Sequence, residues 1–333
     1  MALVLLAMNV LTVPTMAETE NGDETAIGYL SYLNMSEEDE LSRHEDELPA
    51  LAYLDEHGVL EGEELSDRVF VSYDSLDAML MGLVSGEVGA LNVPECTAEY
   101  LTKVNDQVKQ FIRFHPEKAE GFSRDLLNRL CNGYSFMMLE ENSDLRDQFD
   151  QAIAEMKEDG TLEELIKTHI TDVAESGEPV AVSFEEFDGS PIRVAVTGCL
   201  PPMDYVAADG SFAGFNTAIL AQIGKRLGKN IELVQVDSVG RALALAEGNV
   251  DAVFWTRAWS EGQYENGTPS MSDEEHDAFI QEKKANQSEE ENAIMKKLSE
   301  SIPREEYSQR DMPEGTIVTA PYYTDMNVLV ILK

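Results

Sequence analysis

Twice along the chain, short apolar runs alternate with amphipathic stretches, and an acidic, turn-rich segment separates the two series. This doubled alternation constrains the fold more than any other feature, because strand–helix repeats bury a parallel sheet under helices. In the first series Ala26–Leu30, Arg68–Tyr73, Val88–Val93, Val108–Phe114 and Tyr134–Leu139 read as strands. Ser36 opens a helix with acids in its first turn, Asp74-Ser75 caps a helix over Leu76–Val84 that Gly86 ends, and Cys96–Val104 is helical. From Ser143 the apolar residues Leu145, Phe149, Ile153 and Met156 recur at near-helical spacing up to Gly160. Thr161–Glu164 resembles a capping box and starts a last helix to His169. In the second series Ile192–Thr197, Ile231–Val236 and Asp251–Trp255 are strands, Asn216–Leu227 and Gly240–Ala246 are helices, and Thr316–Val318 and Val328–Leu332 close the chain as strands.

Charge narrows the partners. The 333 residues carry 24 Lys and Arg against 64 Asp and Glu, a formal net charge of −40. Phosphate backbones and anionic membrane surfaces would be repelled, so nucleic acid is excluded as a partner. The excess is uneven: residues 190–260 hold six acids and six bases, whereas residues 1–175 hold 38 acids and 11 bases. Hydrophobic residues at 43% supply real cores, which argues against global disorder. Cys96, Cys131 and Cys199 are widely spaced and show no metal-ligand pattern. Ala2–Val13 is an apolar run too short to span a bilayer, followed by small residues at Thr15-Met-Ala17. Residues 1–17 therefore read as a signal peptide cleaved before Glu18, which implies an extracytoplasmic protein without further membrane insertion.

The second series carries ordered signals over about 65 contiguous residues: Pro201-Pro202-Met203, Asp209-Gly210, Gly214-Phe215-Asn216, Gly248 and Asp251-Ala252. This set resembles lobe 1 of the bacterial extracellular solute-binding proteins of family 3, which serve amino-acid ABC transporters. Ala320-Pro-Tyr-Tyr323 with Val328–Leu332 resembles the end of that lobe. Ser72–Leu101 resembles a lobe-2 segment, and Gly133–Ile170, with Asp159-Gly-Thr161, resembles the family's closing strand and helices. The resemblance implies an α/β fold: a periplasmic binding protein-like type II clamshell of two α/β lobes. Its units are a lobe-2-like domain over 26–135, closing elements over 136–170, a linker over 171–189, and a lobe-1-like domain over 190–333 with an acidic insertion at 261–314. The family order is lobe 1 before lobe 2, so the reversed order here is that of a circular permutation. It predicts that residues near Ala26 and Lys333 lie close together at the hinge. Two partial binding domains in tandem are the alternative.

A clamshell that buries an amino acid needs a cation for the carboxylate and an acid for the ammonium. The resemblance places the family's Arg position at Gln263, with Ser260 at the Thr position; Arg257 is the nearest arginine. The ammonium-binding Asp falls at Pro94, with Glu95 adjacent, and the Asp of Gly-Phe-Asp is Asn216. Ligands of open α/β sheets bind at strand ends, which selects Thr197, Asp204, Tyr205, Trp255, Thr256 and Arg257 from lobe 1, and Ser31, Asn34, Asn92 and Glu95 from lobe 2. Phe254 and Trp255 also fit as core, Arg257 as half of a surface ion pair, and Tyr322 and Tyr323 as hinge packing. The insertion reads as a mobile acidic loop, with helical character only around Ala293–Leu298.

The expected function is capture of a small polar or amino-acid-like solute for an ABC permease, without cofactor, metal or catalysis. The alternative is a degenerate binding domain acting as a sensor or surface interaction module. Catalysis finds little footing: His44, His57, His115, His169 and His276 are scattered, and no nucleophile elbow, zinc-protease motif or phosphate loop is present.

Overall fold

Each half of the chain lends one strand to a sheet built mainly by the other. The computed structural model describes residues 25–30, 37–62, 68–207, 209–237, 240–258, 264–265, 268–269, 273–300 and 314–333. The first half contains β1 (Thr25–Leu30), α1 (Glu37–Glu56), β2 (Leu60–Glu61), β3 (Arg68–Tyr73), α2 (Leu76–Ser85), β4 (Ala90–Pro94), α3 (Glu95–Val104), β5 (Val108–Gln110), β6 (Arg113–Phe114), α4 (Phe122–Leu130), β7 (Asn132–Leu139), α5 (Ser143–Glu158), α6 (Thr161–Ile166) and α7 (Asp172–Ser176). The second half contains β8 (Ile192–Val196), β9 (Cys199–Leu200), β10 (Asp204–Val206), β11 (Phe212–Ala213), α8 (Phe215–Leu227), β12 (Ile231–Gln235), α9 (Gly240–Ala246), β13 (Ala252–Ala258), β14 (Tyr264–Glu265), β15 (Thr268–Pro269), α10 (Asp273–Asn286), α11 (Glu289–Glu300), β16 (Thr316–Val318), β17 (Tyr323–Asp325) and β18 (Asn327–Leu332).

The lobe-2 sheet runs β3-β1-β4-β18-β5, and the lobe-1 sheet runs β12-β8-β13-β7-β16, with β17 also on β7. The expected α/β class and the two lobes are present. The sheets are mixed, however, because β18 enters antiparallel to β4 and β7 enters antiparallel to β13. The expected domain limits shift accordingly. β18 belongs to lobe 2, not to a lobe over 190–333, and β7 belongs to the lobe-1 sheet. Residues 172–176 are helical rather than linker, and Val173 and Ile170 are buried. The expected strand Val108–Phe114 divides into β5 and β6, since Phe111 and Ile112 donate backbone bonds to the Leu329 carbonyl instead of continuing the ladder.

Lys333 does not lie at the hinge with Ala26, as the permutation expectation requires: β18 runs away from the crossover at Asn327, and Lys333 N–H donates to the Gln107 carbonyl beside β5. The Ala26 carbonyl accepts from Gly89 N–H, and Leu332 pairs with Val108 of β5. β1 and β18 flank β4 and are two strand spacings, about 10 Å, apart. The crossover end of β18 is Asn327, which pairs with Pro94.

The pleat divides the lobe-1 core. On β7, Phe136 and Met138 face one side and Met137 the other. Phe136 packs edge-on against Phe149 of α5 and lies 5.1 Å from Phe254 of β13. Met137 joins Ala195, Val253, Trp255 and Leu245 under α9. Asp159 of the Asp-Gly-Thr motif accepts from Thr161 N–H and from Arg226 of α8, which ties the closing helices to lobe 1.

Gly214 shows where backbone freedom is required. Its φ is +108°, and a Cβ there would lie 2.5 Å from the Met203 carbonyl oxygen. Gly214→Ala is expected to destabilise the protein by about 2 kcal/mol or more, read as a lower urea midpoint with an unchanged slope.

The insertion is not a loop throughout. It holds the small hairpin of β14 and β15 and the two helices α10 and α11. Ser288 and Glu291 make a reciprocal capping box: Glu291 N–H donates to Ser288 Oγ at 3.1 Å, and Ser288 N–H donates to Glu291 Oε2 at 2.6 Å. Among the described residues, no helix is long and apolar enough to cross a membrane. The expected leader lies outside the described residues.

Candidate functional site

The lobes face each other and touch. β9 of lobe 1 packs on α2 of lobe 2, the Tyr205 ring lies 6.4 Å from that of Tyr100 in α3, and α7 packs on α3. Two strands carry the chain between the lobes side by side. β7 starts at Asn132 directly after α4, and β17 gives way to β18 between Asp325 and Asn327. Asn132 pairs with Asp325, and its side-chain amide donates to Asn327 Oδ1 at 3.4 Å.

On the lobe-1 wall, the hairpin of β9 and β10 brings Thr197, Asp204 and Tyr205 together. The backbone N–H and hydroxyl of Thr197 both donate to Asp204 Oδ2, at 2.7 and 2.9 Å. Asp204 is only 4% exposed, and its Oδ1 has no partner among the described residues. Burial pushes its carboxyl up from the usual range, opposed by the N–H groups of Thr197 and Gly198 and by Arg241. The buried Tyr205 hydroxyl also lacks a partner, and burial raises it to about 12. On β13, Trp255 pairs with Ser135 of β7. Trp255 is buried, as its core reading requires, yet its Nε1 has no partner among the described residues. Thr256 is half-buried at the next position. The backbone of Arg257 pairs with Gly133 in β7; its side chain lies outside the described residues.

The buried cation of this wall is Arg241, which strand-end reasoning missed. Its guanidinium lies 5.4 Å from the Trp255 ring centroid, and Nη1 donates to the Phe254 carbonyl at 2.9 Å. A signal was present: Arg241, Ala244 and Leu245 form the buried i, i+3, i+4 stripe of α9.

On the lobe-2 side, Ser31 and Asn34 lie outside the described residues, as does Gln263. Asn92 does not end its strand, as expected; β4 continues to Pro94 and leaves Asn92 half-buried between Tyr29 and Leu329. Glu95 opens α3 and receives a bond from Gln110 Nε2 at 3.4 Å. Burial, then the charge of Asp325, raises Glu95 to about 7. Asp325 was not expected as a site residue. It is buried in the crossover, where Oδ2 accepts from Cys96 N–H and Oδ1 from Met326 N–H, and burial raises it to about 6. Asn216 is engaged structurally, accepting from the Tyr322 hydroxyl at 2.8 Å. Tyr322 packs on Phe136 and Tyr323 on Tyr134, in keeping with hinge packing.

The structure thus forms two groups: Thr197, Asp204, Tyr205, Trp255 and Arg241 on lobe 1, and Glu95 with Asp325 at the hinge. All three cysteines are free thiols. Among the described residues, no cluster of His, Cys, Asp and Glu is arranged to hold a metal.

Residues 192–288 match the sequence model of the bacterial extracellular solute-binding proteins, family 3. No curated protein matches the chain. Among solved structures, the ligand-binding component of an ABC-type import system from Staphylococcus aureus, with zinc bound, is 10% identical, with 93% of this chain and 66% of that one covered and a TM-score of 0.36. The binding protein AgaA of A. tumefaciens, in complex with agropinic acid, is 13% identical, with 80% and 55% covered and a TM-score of 0.35. A mutant of ArgBP from T. maritima is 7% identical, with 93% and 82% covered and a TM-score of 0.31. The chain spans 66% and 55% of the first two of these structures.

Proposed function

We propose that this chain, whose segment 192–288 carries the pattern of bacterial extracellular solute-binding proteins of family 3, captures a small polar solute between its lobes outside the cytoplasm and delivers it to an ABC permease. Its role is binding rather than catalysis, and its lobe order is a permuted form of the family's.

One observation carries the reading. Three buried polar atoms of lobe 1, Asp204 Oδ1, the Tyr205 hydroxyl and Trp255 Nε1, have no partner among the described residues. Native interiors satisfy such atoms, and a solute with both donors and acceptors would do so. An amino-acid-like ligand supplies an ammonium for Asp204 and a carboxylate within the positive field of Arg241. A second reading, a module that no longer binds amino acids, draws on Asn216, whose side chain is engaged by Tyr322.

A thermal-shift screen of amino acids, short peptides and small organic anions tests the reading. A cognate solute at a hundred times its Kd is expected to add about 2.7 kcal/mol of stability. Asp204→Asn is expected to reduce that solute's affinity at least tenfold. A screen in which no solute raises the melting point would favour the interaction module.

A further inference from the structure

Helix α3 is capped from the crossover. Pro94, which precedes it, makes no side-chain bond to its first turn. Asp325 Oδ2 accepts from Cys96 N–H at 3.0 Å, and the Met326 carbonyl accepts from Glu95 N–H at 2.8 Å. Asp325 Oδ1 accepts from Met326 N–H at 2.8 Å, which folds the crossover around the same carboxyl. Asp325 also pairs with Asn132, so both strands that pass between the lobes meet at this cap. A lobe-2 helix is thereby fastened to the hinge by a residue 229 positions from Cys96.

The cap is also a carboxyl pair. Glu95, half-buried in the first turn of α3, lies in the field of the buried Asp325. Two carboxylates in one poorly solvated site do not both ionise cheaply. Asp325 carries the negative charge better, because two N–H groups and the N-terminus of α3 point at it. The proton therefore rests on Glu95, whose Oε1 receives a long bond of 3.4 Å from Gln110 of β5. Around the pair stand Glu99 of α3, Arg113 of β6, the Tyr323 hydroxyl of β17, and the thiols of Cys96 and Cys131, the last beside Arg124 of α4. Glu99 adds repulsion, and Arg113 offsets part of it. Burial pushes Cys131 up to about 12 and holds the Cys96 thiol and the Tyr323 hydroxyl well above their ordinary values, so these three stay neutral near pH 7.

We infer that Glu95 and Asp325 form a proton-operated hinge lock: one proton on the pair keeps the crossover seated on α3, and its loss sets two carboxylates against each other, frees the crossover and lets the lobes separate. The lobes are in contact in the seated state, with β9 on α2 and Tyr205 beside Tyr100. Burial and Asp325 hold Glu95 at about 7, so the lock is set on the acid side of neutrality and released as pH rises through that value. The inference rests on the clamshell reading only in that the lobes open. Its test needs no solute, so a failed solute screen and a failed lock are separate results.

The full-length protein is followed at about pH 6 and about pH 8 by amide exchange, corrected for the intrinsic pH dependence of exchange, and by small-angle X-ray scattering. Protection of the Glu95 and Cys96 amides is expected to fall about tenfold across that range. The radius of gyration should rise with it, while the sheet amides of β8 and β13 stay protected. Glu95→Gln has no proton to lose and should keep the closed radius and the protected cap at both pH values, which separates the lock from general repulsion in an acidic protein. Asp325→Asn should leave a weaker cap of constant strength and abolish the step. Glu99→Gln, one turn along α3, should retain it. If Glu95→Gln fails to fold, the wild type and Asp325→Asn decide. Equal protection of the wild-type cap amides at both pH values would overturn the lock. So would a loss of protection at unchanged radius, or a step that survives Glu95→Gln or Asp325→Asn.

Discussion

Expressed separately, residues 1–178 and 179–333 should each fail to unfold cooperatively, and mixing them should restore a single transition. The first fragment keeps β4 and β5 but loses β18, the strand between them. Val328, Leu329 and Val330 of that strand are at most 3% exposed. The second fragment keeps β13 and β16 but loses β7, whose Tyr134, Phe136, Met137 and Met138 are at most 4% exposed. It also loses α5, the helix that covers Phe136 through Phe149. Burying three or four large apolar side chains is worth on the order of 10 kcal/mol, similar to the whole stability of a domain. The vacated strand also leaves a row of unpaired backbone groups on each neighbour. Circular dichroism melts and amide spectra of each fragment, alone and mixed, check this. A sigmoidal melt from either fragment alone would mean that the lobes are independent units.

Lowering the pH from 8 to 5 should stabilise the protein. Glu95 is raised to about 7, Asp325 to about 6 and Asp150 to about 6, each chiefly by burial. Raised carboxyl values mean that the folded protein binds these protons more tightly than the unfolded chain. Stability is therefore lost as pH rises through about 6 to 7 and recovered as pH falls towards the unfolded value of about 4. Allowing for partial solvent screening, each group contributes about 1–2 kcal/mol. Burial holds the His169 imidazole below its usual value, which opposes part of this gain, and below that range the sign reverses, because Asp159 is held down to about 2 by bonds from Thr161 and Arg226. Maximum stability is expected near pH 4 to 5, at the acid edge of the usual range. Urea midpoints measured across this range give the result directly, and Glu95→Gln should flatten the slope between pH 8 and 6. A midpoint that is constant or falls between pH 8 and 5 would refute the account.

Much of the local structure is legible because its causes are local. The side chain of Ser75 caps α2 and Gly86 ends it with a left-handed residue, both readable as spacing. Gly228 ends α8 in the same way. The cluster of Thr197, Asp204 and Tyr205 follows from a strand end and a turn adjacent in sequence. Arg241 and Asp325 were not selected, because each lies in an apolar pattern and gains its meaning from a neighbour far along the chain: Trp255 for Arg241, Cys96 for Asp325. The helices of the insertion show little amphipathic repeat, since Ile294 and Leu298 are the α11 side chains in the buried core. Their capping box at Ser288 and Glu291 was the readable clue.

The sequence by itself determined the α/β class, the doubled alternation, most caps and the solute-binding likeness of the second series. Those properties depend on side-chain period and turn chemistry within a few residues. Only the tertiary structure decided that β7 and β18 exchange lobes, that β18 inserts between β4 and β5, and that the insertion docks on α1. An apolar strand is buried equally well in either sheet as far as its own residues show. Which sheet takes it depends on which edge lies open at the crossover, and that is a property of the assembled chain.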